Sequence, residues 1–300
     1  MSLSVEHLTK RYGAFTALDD VCFEVPPGSV FGLLGPNGAG KTTTFKCMLG
    51  LARPSAGTTL LDGAPLTPKT FARLGYVAER STLYGWMSVR EHLDMQRHDF
   101  ARFDAKRAKE LTDLFALDPR SRVRSLSKGL RTALSVVLAF SVDPDVLILD
   151  EPTSGLDPLN QRAVLKLIIE AAVRGRTVVF SSHQIGQVER AADHIAVLRG
   201  GRVVLSGAVD DLKAGSKIVE GTFETDAIAL NGLASDGRIS RIDQTGRIVR
   251  LTVGSGGEAE AQRLAEMGAQ SVRVVDLSLE DIFLNAVDPA RQTAGVTEGL

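Results

Sequence analysis

The sequence predicts an α/β fold: a parallel sheet accompanied by antiparallel strands and a helical subdomain, with a small C-terminal α+β domain. Three observations predict it. Two short apolar runs, "VLILD" and "TVVFSSH", are joined by the helical pattern "PLNQRAVLKLIIEAAVRG". Strand–helix–strand with unbroken apolar strands is how a parallel sheet covered on both faces reads. Residues of about 85–142 carry helical periodicity in "SVREHLDMQRHDF", "AKRAKELTDLFAL" and "SKGLRTALSVVLAF". From residue 217 the texture changes to alternation punctuated by glycine.

Taken in chain order, residues 1–34 alternate as strands in "SLSVEHL", "DDVCFEV" and "SVFGLLG", with "PPG" at 26–28 as a turn. Residues 41–52 read as a helix and "GTTLLDG" as a further strand. The expected division is 1–216 for the main domain and 217–300 for the appendage. In the appendage "SKIVEGTFE" and "RISRIDQTGRIVRLTV" are strands, with "DQTG" turning a hairpin; "EAEAQRLAEMG" is a helix and "SVRVVDL" a strand. The small, polar tail after Pro289 is expected to be disordered.

Composition excludes several classes. The chain has 300 residues, 44% hydrophobic and 24% charged, enough apolar material for a substantial core. A formal charge of −1 and few aromatics argue against a nucleic-acid surface, which needs a basic face or stacking platforms. The longest apolar runs fall short of the roughly 18 residues of a membrane helix. The opening "MSLSVEHLTKRYG" is polar rather than a leader. Membrane contact is therefore expected only through a partner. Cys22 and Cys47 have no metal-ligand spacing and read as reduced, small buried hydrophobes. His7, His92, His98 and His194 likewise show no ligand spacing, so solvated or internally satisfied imidazoles are the default.

"GPNGAGKT" at 35–42 carries the chemistry. It fits G-x-x-x-x-G-K-[ST] between an apolar strand and a helix. In Gly35, Pro36, Asn37, Gly38, Ala39 and Gly40 the backbone can curl so that its N–H groups face phosphate oxygens. The helix start at Lys41, Thr42 and Thr43 adds partial positive charge. Lys41 is placed to reach β- and γ-phosphates, and Thr42 to ligate Mg²⁺. With glycine near 7% of residues, chance yields this pattern in roughly one such chain per hundred; the flanks make chance rarer. "VLILDE" is its companion: Asp150 to hold Mg²⁺ through water, and Glu151, expected on the opposite side of the strand, to polarise the attacking water.

Five further stretches discriminate among phosphate-loop proteins: Tyr12 in "KRYGAFTAL", "LGYVAE" at 74–79, "SLSKGLR" at 125–131, "SGLD" at 154–157 and His183 in "SSHQ". With these, residues 1 to about 215 resemble the ATP-binding subunit of an ABC transporter. The resemblance implies a P-loop NTPase core of the ABC ATPase type. It makes Tyr12 the adenine-stacking aromatic, Glu79 the Q-loop residue, "SLSKGLR" the signature and "SGLD" the loop crossing a dimer interface. His183 becomes the residue that senses the γ-phosphate. It also implies that two cassettes pack head to tail around two ATP molecules, so that Ser127 and Gly129 of one complete the other's site.

The resemblance departs at Glu79, where the family has Gln, and at Lys128 and Leu130 within the signature. These departures resemble the ABC-2-type branch, as does "LSLEDIFL" at 277–284, which reads equally well as an amphipathic helix. Implied partners are a multi-span permease and a second ATP-binding subunit, identical or paralogous. Tyr84, Trp86 and Met87 are either anchors for the permease or core of the helical subdomain. The implied location is cytoplasmic, peripheral on the inner membrane face; the implied function is powering transport, with the branch resemblance implying export as the direction. The competing readings are a nucleotide-sensing regulatory subunit and a soluble non-transport ATPase of the same superfamily.

Overall fold

A computed structural model describes residues 1–287, apart from 227, 229, 231, 232, 234–238 and 255. The disordered tail expected after Pro289 lies outside the described residues. Two compact units form, Met1–Ser206 and the portion from Gly207 onward, where composition alone suggested 216/217.

The first unit begins with β1 (Leu3–Tyr12) and β2 (Phe15–Val25), an antiparallel hairpin, followed by β3 (Val30–Leu34). β2 alternates buried and exposed residues along its second half, which turns one face to the core. β3 is buried throughout, as a central strand covered on both faces must be. The helix α1 (Lys41–Met48) is only two turns long and too short to persist alone. It is held by Phe45 and Met48, both fully buried. Truncating such a phenylalanine costs about 3–5 kcal/mol, more than the helix could lose and still form.

Next come β4 (Ala56–Leu61), β5 (Ala64–Pro65), α2 (Pro68–Phe71) and β6 (Leu74–Val77). The helical subdomain holds α3 (Val89–Asp99), α4 (Ala105–Leu114) and α5 (Lys128–Ser141). Ser88 and Glu91 close a capping box on α3, Asp104 caps α4, and Ser127 caps α5. The chain then returns through β7 (Val146–Asp150), α6 (Pro158–Val173), β8 (Thr177–Ser181), α7 (Ile185–Ala191), β9 (His194–Arg199) and β10 (Arg202–Ala208). Asp157 caps α6 with Pro158 in its first turn.

Among the described residues, β2-β1-β4-β5 form one sheet and β10-β9-β3-β8-β7-β6 another. In the second, β9, β3, β8, β7 and β6 run parallel. One core joins both sheets through α1: Leu3, Val5, Val21 and Phe23 meet Phe45, Met48, Ile148 and Val179. The rings of Phe23 and Phe31 stack at 5.1 Å. Cys47 is buried as expected, but Cys22 is exposed. Position 22 falls on the solvent face of β2, opposite in phase to buried Val21 and Phe23.

The second unit contains α8 (Val209–Ala214), β11 (Ser216–Thr222), β12 (Ile239–Thr245), β13 (Ile248–Gly254), α9 (Glu258–Glu266), β14 (Ser271–Asp276) and α10 (Leu279–Val287). Its described strands lie in the order β12-β13-β11-β14, and β12 and β13 turn at Gly246 as "DQTG" predicts. Val219, Val249, Leu251 and Leu264 centre its own core. "LSLEDIFL" opens α10, an amphipathic helix with Leu279 and Ile282 buried.

Candidate functional site

Parallel β3, β7 and β8 end at the same edge of the sheet, so the turns that follow them converge. This is where open α/β sheets bind ligands. A cavity of about 360 Å³ opens there, lined by Phe15, Ala17, Asn37, Gly38, Ala39, Gly40, Lys41, Thr42, Thr43, Glu79, Asp150 and Glu151.

The loop after β3 builds its floor. Gly40 opens α1 at φ 112°, a left-handed conformation that side chains rarely adopt. A Cβ there would lie 2.7 Å from Leu18 and 3.0 Å from the Ala17 carbonyl oxygen. Gly40 thus lets the loop tuck against β2. Lys41 is buried, and its Nζ donates to the carbonyls of Gly35 at 2.7 Å and Pro36 at 3.2 Å. Burial lowers its pKa, against the pull of Glu151, Asp150 and Glu79.

Asp150 ends β7, its carboxylate 1% exposed at the residue level. Its Oδ1 accepts from Ser181 Oγ at 2.6 Å, while its buried Oδ2 has no hydrogen-bond partner. Burial pushes the Asp150 carboxyl up, with the Ser181 hydroxyl opposing. Glu151 follows at φ 50°. This left-handed residue breaks the strand alternation that predicted opposite sides, and both carboxylates line one cavity. Glu151 Oε2 lies 2.8 Å from His183 Nδ1. Burial raises the Glu151 pKa, with His183 and Lys41 opposing it and Asp150 adding to it. Thr42 Oγ1 donates to Glu79 Oε2 at 3.1 Å, so Glu79 reaches the same cluster.

Ser181 carries no motif, yet its hydroxyl donates to Asp150 and accepts the Glu151 backbone N–H at 3.0 Å. Strand order explains it: β8 lies between β3 and β7. The helix α7 adds Gln187, buried, whose Oε1 accepts from Thr153 at 2.8 Å and Ser182 at 3.2 Å. The only advance signal for Ser181 was its place beside "SH" at the end of an apolar run.

Six predicted residues lie outside this cavity lining: Gly35 and Pro36, whose carbonyls hold Lys41, His183, which bonds Glu151, and Tyr12, Ser127 and Gly129. Tyr12 is half exposed with Lys10 Nζ 4.7 Å over its ring, and its strand partner Phe15 lines the cavity instead. Ser127 caps α5, its Oγ accepting from Leu130 N–H at 3.2 Å. Gly129 is buried against the "SGLD" turn of its own chain: an added Cβ would lie 2.3 Å from the Gly155 oxygen. Thr132 Oγ1 ties the same helix to the Ser154 carbonyl at 3.0 Å.

Near "STLYGW", Trp86 and Tyr84 are 66% and 52% exposed, while Met87 is buried. His92 is the satisfied histidine expected. Its Nδ1–H donates to the Ser88 carbonyl at 2.9 Å and its Nε2 accepts from Tyr84 N–H at 3.1 Å.

A phosphate loop at the end of a parallel strand, facing a buried acid pair, defines a phosphate-loop nucleoside triphosphatase. Residues 18–154 match the ABC transporter family. The chain is 36% identical over 229 residues to the Nod factor export ATP-binding protein I of Cupriavidus metallidurans, covering 73% of this chain and 76% of that one. It is 32% identical over 295 residues to the uncharacterized ABC transporter ATP-binding protein YhaQ of Bacillus subtilis, covering 95% and 98%. A solved structure of an ATP binding subunit of an ABC transporter superposes with a TM-score of 0.66 at 32% identity, over 71% of this chain and 92% of that one. The chain belongs to the ABC transporter family as an ATP-binding subunit, and ATP hydrolysis is that family's characteristic activity.

Proposed function

We propose that this chain binds MgATP in the cavity at the ends of β3 and β7, hydrolyses it across a dimer of cassettes, and thereby powers export through a separate multi-span permease at the inner face of the cell membrane. The observation that carries the proposal is the convergence of Lys41, Thr42, Glu79, Asp150 and Glu151 on one cavity beneath the phosphate loop.

The residues fit Mg²⁺. Three carboxylates face one ammonium there, and a triphosphate brings further negative charge. A carboxylate and a phosphate at 4 Å repel by about 4 kcal/mol at an effective dielectric of 20. The buried, unpartnered Oδ2 of Asp150 supplies the matching requirement for a cation. Thr42, Glu79 and Asp150 would hold the ion, Asp150 through water. Mg²⁺ would supply charge neutralisation of the β- and γ-phosphates.

Lys41 and the N–H groups of residues 35–43 grip the phosphates. Glu151 takes the proton of the attacking water, and His183 orients Glu151 and meets the γ-phosphate. Adenine rests at the β1–β2 hairpin, on Tyr12 or on its neighbour Phe15. Ser127 and the Gly129 N–H close over the nucleotide of a second cassette, identical or paralogous. The exposed Tyr84 and Trp86 are suited to anchor the permease, since large aromatic side chains dominate interface energetics. The Nod factor export relative supports export as the direction.

The test is sedimentation with and without MgATP. Glu151→Gln should dimerise with MgATP, and Glu151→Gln combined with Ser127→Arg should stay monomeric. A wild-type rate per molecule that is independent of protein concentration down to fully monomeric solutions would overturn the shared-site reading.

A further inference from the structure

The solvent face of the β1–β2 hairpin gathers three donor atoms of three chemical kinds. His7 Nδ1 lies 2.8 Å from Asp20 Oδ1 and 3.7 Å from Cys22 Sγ. All three ligand atoms fall within 4.8 Å of one another, and all three residues are exposed. We infer that His7, Asp20 and Cys22 form a binding site for one divalent ion of the zinc class.

Two opposed irregularities of the strands build the cluster. Between the pairs Val5–Phe23 and Leu8–Val21, β1 spends one residue more than β2. Between Leu8–Val21 and Lys10–Leu18, β2 spends one more than β1. Each extra stretch contains a non-glycine residue in the left-handed region, His7 at φ 50° and Asp20 at φ 57°. A regular ladder would alternate such side chains; the paired bulges re-aim them toward each other. Cys22 is exposed by ordinary alternation, two positions beyond Asp20. The His7 backbone N–H donates to Cys22 Sγ at 3.1 Å, which fixes the sulfur beside the imidazole.

Donor type and spacing select the ion. Zinc bonds of about 2.3 Å to sulfur and about 2.0–2.1 Å to nitrogen or oxygen, at tetrahedral angles, put sulfur about 3.5 Å from nitrogen and nitrogen about 3.4 Å from oxygen. The sulfur–nitrogen separation is already close to this. The nitrogen–oxygen pair, now hydrogen-bonded, has to part by about half an ångström, which exposed side chains do by rotation. A thiol and an imidazole discriminate against Mg²⁺, which favours oxygen ligands. Cys22 enters as thiolate with its proton released to solvent, and three protein donors leave a fourth position for water. The bound ion would pin β1 to β2 within the hairpin whose tip carries Tyr12 and Phe15.

The probe is Co²⁺, then Zn²⁺, added to the full chain without nucleotide and in excess Mg²⁺, which occupies the oxygen ligands of the phosphate-loop cavity. Tetrahedral Co²⁺ absorption with a thiolate-to-metal charge-transfer band is expected, displaced by stoichiometric Zn²⁺. Zn²⁺ should also raise the melting temperature. His7→Asn and Asp20→Asn keep residues that tolerate the left-handed region, so both should fold. Each of these, and Cys22→Ser, should weaken Zn²⁺ binding at least tenfold, and Cys22→Ser should abolish the charge-transfer band. Asp150→Asn should retain all three signatures. An octahedral Co²⁺ spectrum, or Zn²⁺ affinity equal in wild type and Cys22→Ser, overturns the site; loss of the signal in Asp150→Asn assigns it to the phosphate-loop cavity and also overturns it.

Discussion

His183 Nδ1 and Glu151 Oε2 lie 2.8 Å apart, linking the turn after β8 to the turn after β7. The partners differ in environment: the histidine side chain is 56% exposed and the glutamate side chain 10%. A group that can meet solvent or a second subunit is thus tied to a buried carboxylate that can meet water.

That pairing predicts a pH profile. Burial holds the Glu151 carboxyl above its ordinary value, against His183 and Lys41. As the proposed general base, Glu151 must be ionised, so turnover is expected to fall as pH drops through this raised value, higher than for a free glutamate. The same shift means that the folded chain holds this proton more tightly than the unfolded chain. Its contribution to stability is therefore greatest below the ordinary glutamate value and declines as pH rises through the raised one. Glu151→Gln should abolish turnover and, at neutral pH, melt above the wild type in calorimetry.

Ser181→Ala should weaken both fold and catalysis. The hydroxyl serves Asp150 Oδ1 and the Glu151 N–H within a fully buried site. Leaving buried groups unsatisfied costs about 1–3 kcal/mol, measurable by urea denaturation. Loosening both acids should lower kcat about tenfold or more, equivalent to about 1.4 kcal/mol of transition-state stabilisation. A variant with wild-type kcat would separate Ser181 from the acids it touches.

Gly129→Ala should disturb the packing of α5 on the "SGLD" turn. Its Cβ would lie 2.3 Å from the Gly155 carbonyl, a backbone atom that cannot rotate away. Overpacking of this kind costs about 1–3 kcal/mol, read as a lower melting temperature. Hydrolysis should fall as well, because the displaced turn leads directly from Glu151. Unchanged stability would mean that α5 can slide.

Asp145 should matter for folding rather than for chemistry. Its side chain is 13% exposed and accepts from Arg73 at 2.6 Å, Arg102 at 2.9 Å and Arg176 at 2.7 Å. Burial alone would raise its pKa, but Arg102 and Arg73 outweigh it and hold the carboxyl below its ordinary value. The resulting stabilisation is present above the ordinary aspartate value and is lost as pH falls through the depressed one. Asp145→Asn should cost about 1–3 kcal/mol, between surface and buried ion pairs. Denaturation at neutral pH should show the full difference, and the gap to wild type should shrink in acid.

The phosphate loop, the acid pair and the α6 strand–helix–strand unit were legible because each is a contiguous run whose spacing dictates its local backbone. Strands such as β7 and β8 announced themselves by unbroken apolar residues, which only a doubly covered sheet requires. The exposed face of Cys22 was not legible: the alternation was visible, but not which phase meets the core. Nor was the direction of Glu151, because a single left-handed residue overrides strand alternation.

By itself the sequence determined that a phosphate-loop pattern runs from Gly35 into the helix at Thr43 and that two acids stand at the end of an apolar strand. Tertiary structure alone decided that Ser181 braces both acids, that Gly129 lies against Gly155, and that His7, 15 residues from Cys22, shares a cluster with it. The physical reason is range. Turn and strand geometry act over a few neighbouring dihedrals, whereas strand order and bulge register are settled only when distant segments compete for one core.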